Sequence, residues 1–502
     1  MNVAIRADAS SAMGSGHLMR CLTLAGVLRE RGAQVLFIGH ALPQHLAAQV
    51  LAQGHRLAAL PLASAAGEVA PQSAWPPERQ LEDAAACAGL LHEGDFDWLV
   101  ADHYGLDRLW ESRLRGAAAR LMVIDDLARA HDCDLLLDPN FHPDPTARYA
   151  TQLDARAIRL LGPAHALLRP EFARAREGAA PRDGEVLRML VFMGGMDAGN
   201  ATGLVLRTIE RLARTAPALD VVIGAGHPAL AQIGAWCAAR ANATCHVQTG
   251  DMAGLLARAD MAVGAGGSAT WERCALGVPT LALALADNQR PLLASAARRG
   301  AVYAPDGGLP DEAVLAVHLQ ALLDNSALRS HLSREALSLV DGQGTQRVAS
   351  AMLGAVVTVR PAVAADCSDI HAWRNAPAVR EVSLDSREIT FDAHQRWFEQ
   401  VLGAPDRSLL VGELAGRSVG VVRFDIDAAQ AEVSIYLAPP RAGHGLGTGL
   451  LRAAEAWLAD AHPGVTTLLA QTLPANHASQ RLFERCGYNR DTIAFYKRIS
   501  TP

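Results

Sequence analysis

Three stretches of the N-terminal two thirds share one pattern: a short apolar run, a glycine turn, then a helix signal. They are NVAIRADASSAMGSGHLMR from Asn2, MLVFMGGMDAGNAT from Met189 and MAVGAGGSATWER from Met261. A strand that feeds a helix through a tight turn is the repeating unit of a parallel sheet, because the crossover helix returns the chain to begin the next strand alongside. Further apolar runs fit the same scheme: WLVADHYG from Trp98, LMVIDDLA from Leu121, CDLLLDPNF from Cys133, LDVVIGAGHP from Leu219 and LGVPTLALAL from Leu276. The charged, proline-containing stretch Arg176–Glu185 separates the units into two series. The expectation is two Rossmann-like halves, residues 1–165 and 166–350, facing a cleft. In such sheets ligands bind beyond the carboxyl ends of the strands, so the polar residues just past each run are the candidates.

The C-terminal part reads differently. VVTVRPAVAADCSDIHAWRN is a strand and a helix, LLVGELAGRSVGVVRFDI a hairpin around Ala415-Gly416, and AEVSIYL another strand. GHGLGTGLL opens a long amphipathic helix, and NHASQRLFERCGY is a last helix stopped at Gly487. Antiparallel pairing before a glycine loop makes residues 356–502 a separate mixed α/β domain. Part of Ser338–Val356 is a closing helix of the preceding one.

Bulk properties narrow the function. A chain of 502 residues exceeds one ordinary core. A net charge of −6 offers no basic field for nucleic acid. No apolar stretch approaches bilayer length, and the charged MNVAIRADAS start is no signal peptide, so neither membrane nor export is expected and the location reads as cytoplasmic. The eight scattered cysteines form no CxxC pair and are expected reduced and mostly buried. Lys497 is the only lysine, which excludes a P-loop. No metal cluster is expected; His40 and His45 stand five apart, one too many for a shared helix face.

His17 follows Gly14-Ser15-Gly16 at a helix start, where unpaired amides and the helix field favour an anion. That field disfavours an added positive charge and leaves the imidazole free to accept a proton from water. The plainer alternative is that Ser15 or His17 caps the helix. In the second series Gly266, Gly267, Ser268 and Thr270 sit at a strand-to-helix turn with Glu272 following. Glycine amides and hydroxyls suit a diphosphate, and a carboxylate there suits the two hydroxyls of a ribose. The alternative is a capping box, for which Glu272 stands one position late.

RADASSAMGSGHLMRCLTLA, ADHYGLD, VIDDLA, LLLDPN, VFMGGMDAGN and GGSATWERCALGVPTLALALADNQ together resemble the UDP-sugar hydrolases of pseudaminic acid biosynthesis over roughly residues 1–340. The resemblance implies a GT-B architecture and hydrolysis of UDP-2,4-diacetamido-2,4,6-trideoxy-β-L-altrose to UDP and free sugar. It places the catalytic histidine in GxGHxxR, here Gly14 to Arg20. His17 would activate water near the anomeric carbon. Gly16, Gly195, Gly267, Ser268 and Thr270 would meet the UDP phosphates and Glu272 the ribose. Asp102, His103 and Tyr104 would line the sugar side, with Asn200 and Gln289 as further candidates.

In the third domain the alternating Gly443, Gly445, Gly447 and Gly449 suit a pyrophosphate, and the antiparallel surroundings favour acetyl-CoA over a dinucleotide. The region resembles the GNAT N-acetyltransferases. RNAPAVREVSLDSREITFDAHQRWF resembles more narrowly the transferase that acetylates the 4-amino sugar of the same pathway. The resemblance implies acetyl-CoA held by Gly443, Gly445, Gly447, Thr448 and Asn476, with Glu432 as base for the substrate amine. Glu432 reads equally as a solvated strand residue, and Asn476 also as a helix cap. The loop carries Ala442 where the family usually has Arg or Gln. Phe483 stands where many members have a tyrosine acid, leaving Tyr488, Tyr496 or solvent for that role. His394 and Trp397 are candidates for the sugar-nucleotide face, Trp397 equally for the core.

The expected fold is thus α/β, a GT-B-like pair of Rossmann-like domains followed by a mixed α/β GNAT domain. The expected protein is a bifunctional enzyme acting on a UDP-amino-sugar with acetyl-CoA as co-substrate. A GT-B glycosyltransferase carrying a non-catalytic acyl-CoA-binding GNAT module is the other reading of the same residues.

Overall fold

The computed structural model describes residues 1–9, 13–40, 42–60, 73–92, 94–212, 217–414, 417–439 and 446–489. The chain divides into two compact units, Asn2–Val348 and Ala349 onward, and the helix Gly344–Ala355 spans the division.

The first unit holds two wholly parallel sheets. The strands of the first are β1 (Asn2–Ala7), β2 (Gln34–Gly39), β3 (Arg56–Ala59), β4 (Trp98–Asp102), β5 (Arg120–Ile124), β6 (Leu135–Asp138) and β7 (Ile158–Leu161). Their order is β3-β2-β1-β4-β5-β6-β7. The second comprises β8 (Arg188–Phe192), β9 (Ala218–Ile223), β10 (Ala243–Val247), β11 (Met261–Ala265) and β12 (Thr280–Leu283), in the order β10-β9-β8-β11-β12. Both are doubly wound. The order reverses between β1 and β4 in one sheet and between β8 and β11 in the other, so the loops leaving those strands part and open a crevice at each point.

The central strands are apolar because helices cover both faces. β4 and β11 are buried at every position. Alternation then sends neighbouring side chains to opposite layers: Leu190 joins one core with Trp271 and Leu276, while Met189 and Val191 join the other with Leu206 and Leu315. Two glycines are fixed by geometry. A Cβ on Gly224 would stand 1.9 Å from the Gly195 main-chain oxygen, and Gly267 has φ +101°.

The second unit is a five-stranded sheet of β13 (Thr358–Pro361), β14 (Arg407–Leu414), β15 (Arg417–Asp427), β16 (Gln430–Leu437) and β17 (Thr467–Ala470), in chain order. The first four run antiparallel, and β17 lies parallel to β16. The helices Cys367–Asn375 and Phe391–Gly403 supply one apolar layer, with Ile370 and Phe398; Leu446–Ala461 supplies the other, with Leu450 and Leu451. No helix among the described residues is long and apolar enough to cross a membrane.

Candidate active site

A cavity of about 650 Å³ lies at both order reversals of the first unit. It is lined from the first half by Gly16, His17, Arg20, Tyr104 and Asp126. From the second half come Gly194, Gly195, Gly267, Ser268, Glu272 and Gln289.

His17 lies in the first turn of the helix Gly16–Glu30, directly after β1 and its loop. Ser15, the residue before that helix, makes no side-chain capping bond. The ring instead reaches across the crevice to β4: His17 Nδ1 stands 2.5 Å from Asp102 Oδ1. Arg20, one turn further along the same helix face, donates through Nε and Nη2 to both Asp102 oxygens at 2.6 Å each. Asp102 is fully buried. Burial alone would raise its carboxyl, but Arg20 and then His17 hold it well below the ordinary carboxylate range. An ionised Asp102 is an acceptor for the Nδ1 proton, a contact that orients the ring and leaves Nε2 outside this pairing. The Tyr104 ring packs edge-on against the imidazole, 4.7 Å between centroids, which restricts its swing. Cys21 donates its thiol to Asp102 at 3.3 Å, and burial followed by that carboxylate pushes the thiol well up, so it is no nucleophile.

The second half contributes chiefly backbone. Gly194, with φ +93°, and Gly195 follow β8, and Gly266 and Gly267 follow β11. Ser268 faces the cavity and makes no capping bond, so the capping-box alternative is not what the fold adopts. Glu272 lines the cavity 3.7 Å from Arg169 Nη2, and burial raises its carboxyl against the pull of Arg169 and Arg273.

Four expected residues are placed elsewhere. Thr270 is fully buried on the far side of its helix, where its hydroxyl accepts from Arg273 Nη2 at 3.2 Å. Two residues past Ser268, helical rotation has turned it from the cavity. Asn200, at φ +51°, caps the helix Ala201–Arg211 by accepting from the Gly203 amide and does not line the cavity. Asp197 takes the next amides of that helix, Ala201 and Thr202, so this helix start is already filled by a carboxylate. His103 points behind the wall, its Nε2 3.4 Å from Asp8, which a buried Arg6 holds from its other side. Asp102 stands behind His17 rather than on the surface of the cavity. Gln289 does line the cavity, with Oε1 held by the Leu285 amide at 2.9 Å.

Sequence reasoning did not single out Asp126, Asn140 or Trp271. Trp271 Nε1 donates to Asn140 Oδ1 at 3.2 Å, and Asn140 Nδ2 to Asp126 Oδ2 at 2.9 Å, a chain that ties the two halves at the cavity wall. The signal was present in VIDDLA and LLLDPN, which leave strands with polar residues.

In the second unit Glu432 is exposed on β16, opposite Asp425 of β15. Gly447 and Thr448 lie in the first turn of the helix Leu446–Ala461, while Gly443 and Gly445 lie outside the described residues. Both polar ends of Asn476 are engaged: Oδ1 accepts from the Ser479 amide at 3.1 Å and Nδ2 donates to the Val382 oxygen at 3.2 Å. Phe483 is buried, and the Tyr488 hydroxyl donates to Glu455 at 2.8 Å; burial and Glu455 raise it far above its ordinary value, which weakens it as an acid. Tyr496 lies outside the described residues. His394 is buried beside His371 and Trp397, and desolvation pushes its imidazole down to about 4. Trp397 packs against the core under the Arg423 guanidinium.

Residues 357–489 match the family described as acetyltransferase (GNAT) domain. The N-terminal region is similar to the spore coat polysaccharide biosynthesis protein SpsG of Bacillus subtilis, 30% identical over 192 residues, 37% of this chain and 56% of that protein. It is also similar to the UDP-2,4-diacetamido-2,4,6-trideoxy-β-L-altropyranose hydrolase of Campylobacter jejuni, 26% identical over 217 residues, 43% of this chain and 67% of that protein. The chain thus spans a little over half the length of the first relative and two thirds of the second. The crystal structure of Acinetobacter baumannii MurG superposes with a TM-score of 0.50 at 16% identity, covering 69% of this chain and 97% of that one. The fold is α/β, a GT-B-like pair of Rossmann-like halves joined to a C-terminal GNAT domain.

Proposed function

We propose that the first unit hydrolyses a UDP-activated diacetamido sugar, and that the second acetylates the amino group of its precursor. What supports the first half of this reading is one arrangement: an imidazole whose Nδ1 is fixed by a buried carboxylate, on a cavity wall facing two glycine turns. His17 Nε2 takes a proton from water as that water attacks the anomeric carbon. The bond from that carbon to the diphosphate oxygen breaks, and UDP leaves as an anion stabilised by donors at Gly195, Gly267 and Ser268. Glu272 accepts the ribose hydroxyls, and Tyr104 and Gln289 contact the sugar. The similarity to the Campylobacter jejuni hydrolase supports the substrate class.

For the second unit the match to the GNAT family supports acetyl-CoA as donor. The amine of a UDP-4-amino sugar attacks the thioester carbonyl, CoA leaves as thiolate, and the ammonium proton passes to solvent directly or through exposed Glu432. Gly443, Gly445, Gly447 and Thr448 are the proposed pyrophosphate contacts. Asn476 contributes by positioning the last helix.

The test is incubation of the full chain with UDP-4-amino-4,6-dideoxy-N-acetyl-β-L-altrosamine and acetyl-CoA in ¹⁸O-water, with products weighed by mass spectrometry. Free CoA, UDP without ¹⁸O and a diacetamido sugar are expected. Label in UDP would mean attack at phosphorus and would remove His17 from its assigned role. A glycoside formed from an added acceptor sugar would make the first unit a glycosyltransferase.

A further inference from the structure

Among the described residues that line the cavity, Asp126 carries a buried carboxyl oxygen, Oδ1, with no hydrogen-bond partner. Its other oxygen is saturated: Oδ2 accepts from Asn140 Nδ2 at 2.9 Å and from the Tyr104 hydroxyl at 3.4 Å. The charged and titratable groups around it are Arg20 from the helix Gly16–Glu30, Tyr104 beyond β4, Asp125 beside it and Asp138 at the end of β6. Arg148 donates to its main-chain oxygen at 2.7 Å. Burial raises this carboxyl above the ordinary range, Asp125 and Asp138 add to the effect, and Arg20 and Tyr104 oppose it. Because two donors occupy the lone pairs of Oδ2, a proton on this group resides on Oδ1.

A buried hydroxyl without an acceptor is costly, and a ligand that supplies one gains by it. Asp126 also belongs to the first half, bonded to Tyr104, whose ring packs on His17. We propose that Asp126 is a specificity-determining residue whose carboxyl, fixed through Oδ2 by Tyr104 and Asn140, donates from Oδ1 to an acceptor oxygen of the bound sugar, a hydroxyl or an amide carbonyl. The assignment rests on the nucleotide-sugar reading above. It makes Asp126 a selector: a sugar lacking an oxygen at that place leaves the carboxyl unpaired and is rejected.

The test uses the full chain with His17→Ala, so that substrate is bound and not consumed. Affinities for UDP-2,4-diacetamido-2,4,6-trideoxy-β-L-altrose and for UDP are measured by calorimetry. Adding Asp126→Ala is expected to weaken the UDP-sugar by roughly tenfold and leave UDP unchanged. Adding Asp126→Asn, whose amide donates in place of the hydroxyl, is expected to restore sugar affinity. If Asp126→Asn binds as poorly as Asp126→Ala, the group works as a carboxylate and the proposal falls. It falls also if Asp126→Ala weakens UDP itself, since the contact is then to phosphate. Failure of the His17→Ala chain to bind either ligand overturns the nucleotide-sugar reading instead, and retained UDP affinity certifies that each variant is folded.

Discussion

The two halves of the first unit face the same cavity with opposite chemistry. The first half presents ionisable side chains held by partners: His17 by Asp102, which Arg20 braces, and Asp126 by Tyr104 and Asn140. The second half presents main chain at Gly194–Gly195 and Gly266–Gly267, with Glu272 from the helix Ala269–Ala275 and Asp197, which is bonded to the amides of Ala201 and Thr202. A bond-breaking step needs a group that moves a proton, held still. A diphosphate needs close approach to amides, which side chains would obstruct. The division therefore separates proton transfer and sugar contact from nucleotide binding, and it predicts that substitutions at His17 and Asp102 act on kcat and those in the second half on KM.

The largest effect should come from His17→Ala. UDP release from the diacetamido sugar is expected to fall by about 10³-fold in kcat, with KM within about threefold of wild type, while CoA release by the second unit persists. Asp102→Asn should follow, at about 10²-fold in kcat, because the amide turns the imidazole to the wrong tautomer. It should also lower the melting temperature, since Arg20 is left buried without its counter-charge. Steady-state kinetics on both variants would break the division at once if KM carried the loss.

Glu272→Gln probes the other side. A hydrogen bond to a charged acceptor contributes about 1.5–3 kcal/mol, so KM for the UDP-sugar and the inhibition constant for UDP should rise by roughly 10-fold or more with kcat kept. Ser268→Ala should repeat the pattern at roughly threefold to tenfold, the range of a neutral hydrogen bond. A fall in kcat in either variant, at saturating substrate, would place chemistry in the half assigned to binding.

The same division explains what could be read from the sequence. Strand ends were legible, because apolar runs stopped by glycine mark where a parallel sheet delivers the chain to its ligand edge; this located His17, Gly195, Gly267, Ser268 and Glu272. β3, β7 and β10 were missed, being short, half-exposed and without alternation. Nearness in sequence misled at Thr270 and Asn200, where helix rotation and a left-handed cap decide the direction of the side chain. Between the two acids of VIDDLA, only the fold tells which one turns inward to Arg129 and His131 and which faces the cavity. In the second unit the glycine pattern marked the opening of the helix Leu446–Ala461, but the duties of Asn476 depend on Val382, 94 residues earlier in the chain.

The smallest expected effect tests how each half is held rather than what it does. Behind the first half's wall, His131 lies buried between Glu111, 2.7 Å from Nδ1, and Asp125, 3.2 Å from Nε2. Burial opposes its charge, but the two carboxylates prevail and raise it to about 9. The unfolded chain releases that proton near the ordinary histidine value of about 6.5. A raised folded value means that the ion pairs contribute fully below about pH 6.5 and are lost as pH climbs through about 9. The second half has an apolar counterpart in the Leu190–Trp271–Leu276 core, which carries no such term. Raising the pH from 7 to 9.5 should therefore lower amide protection in β5 and β6 before β8 and β11, and lower the melting temperature by a few degrees (on the order of 1 kcal/mol in a unit of this size). Glu111→Gln should flatten that dependence while keeping the shape of the site. Equal loss of protection in both sheets would show that the halves unfold as one cooperative body, and that the difference between them is confined to the cavity surface.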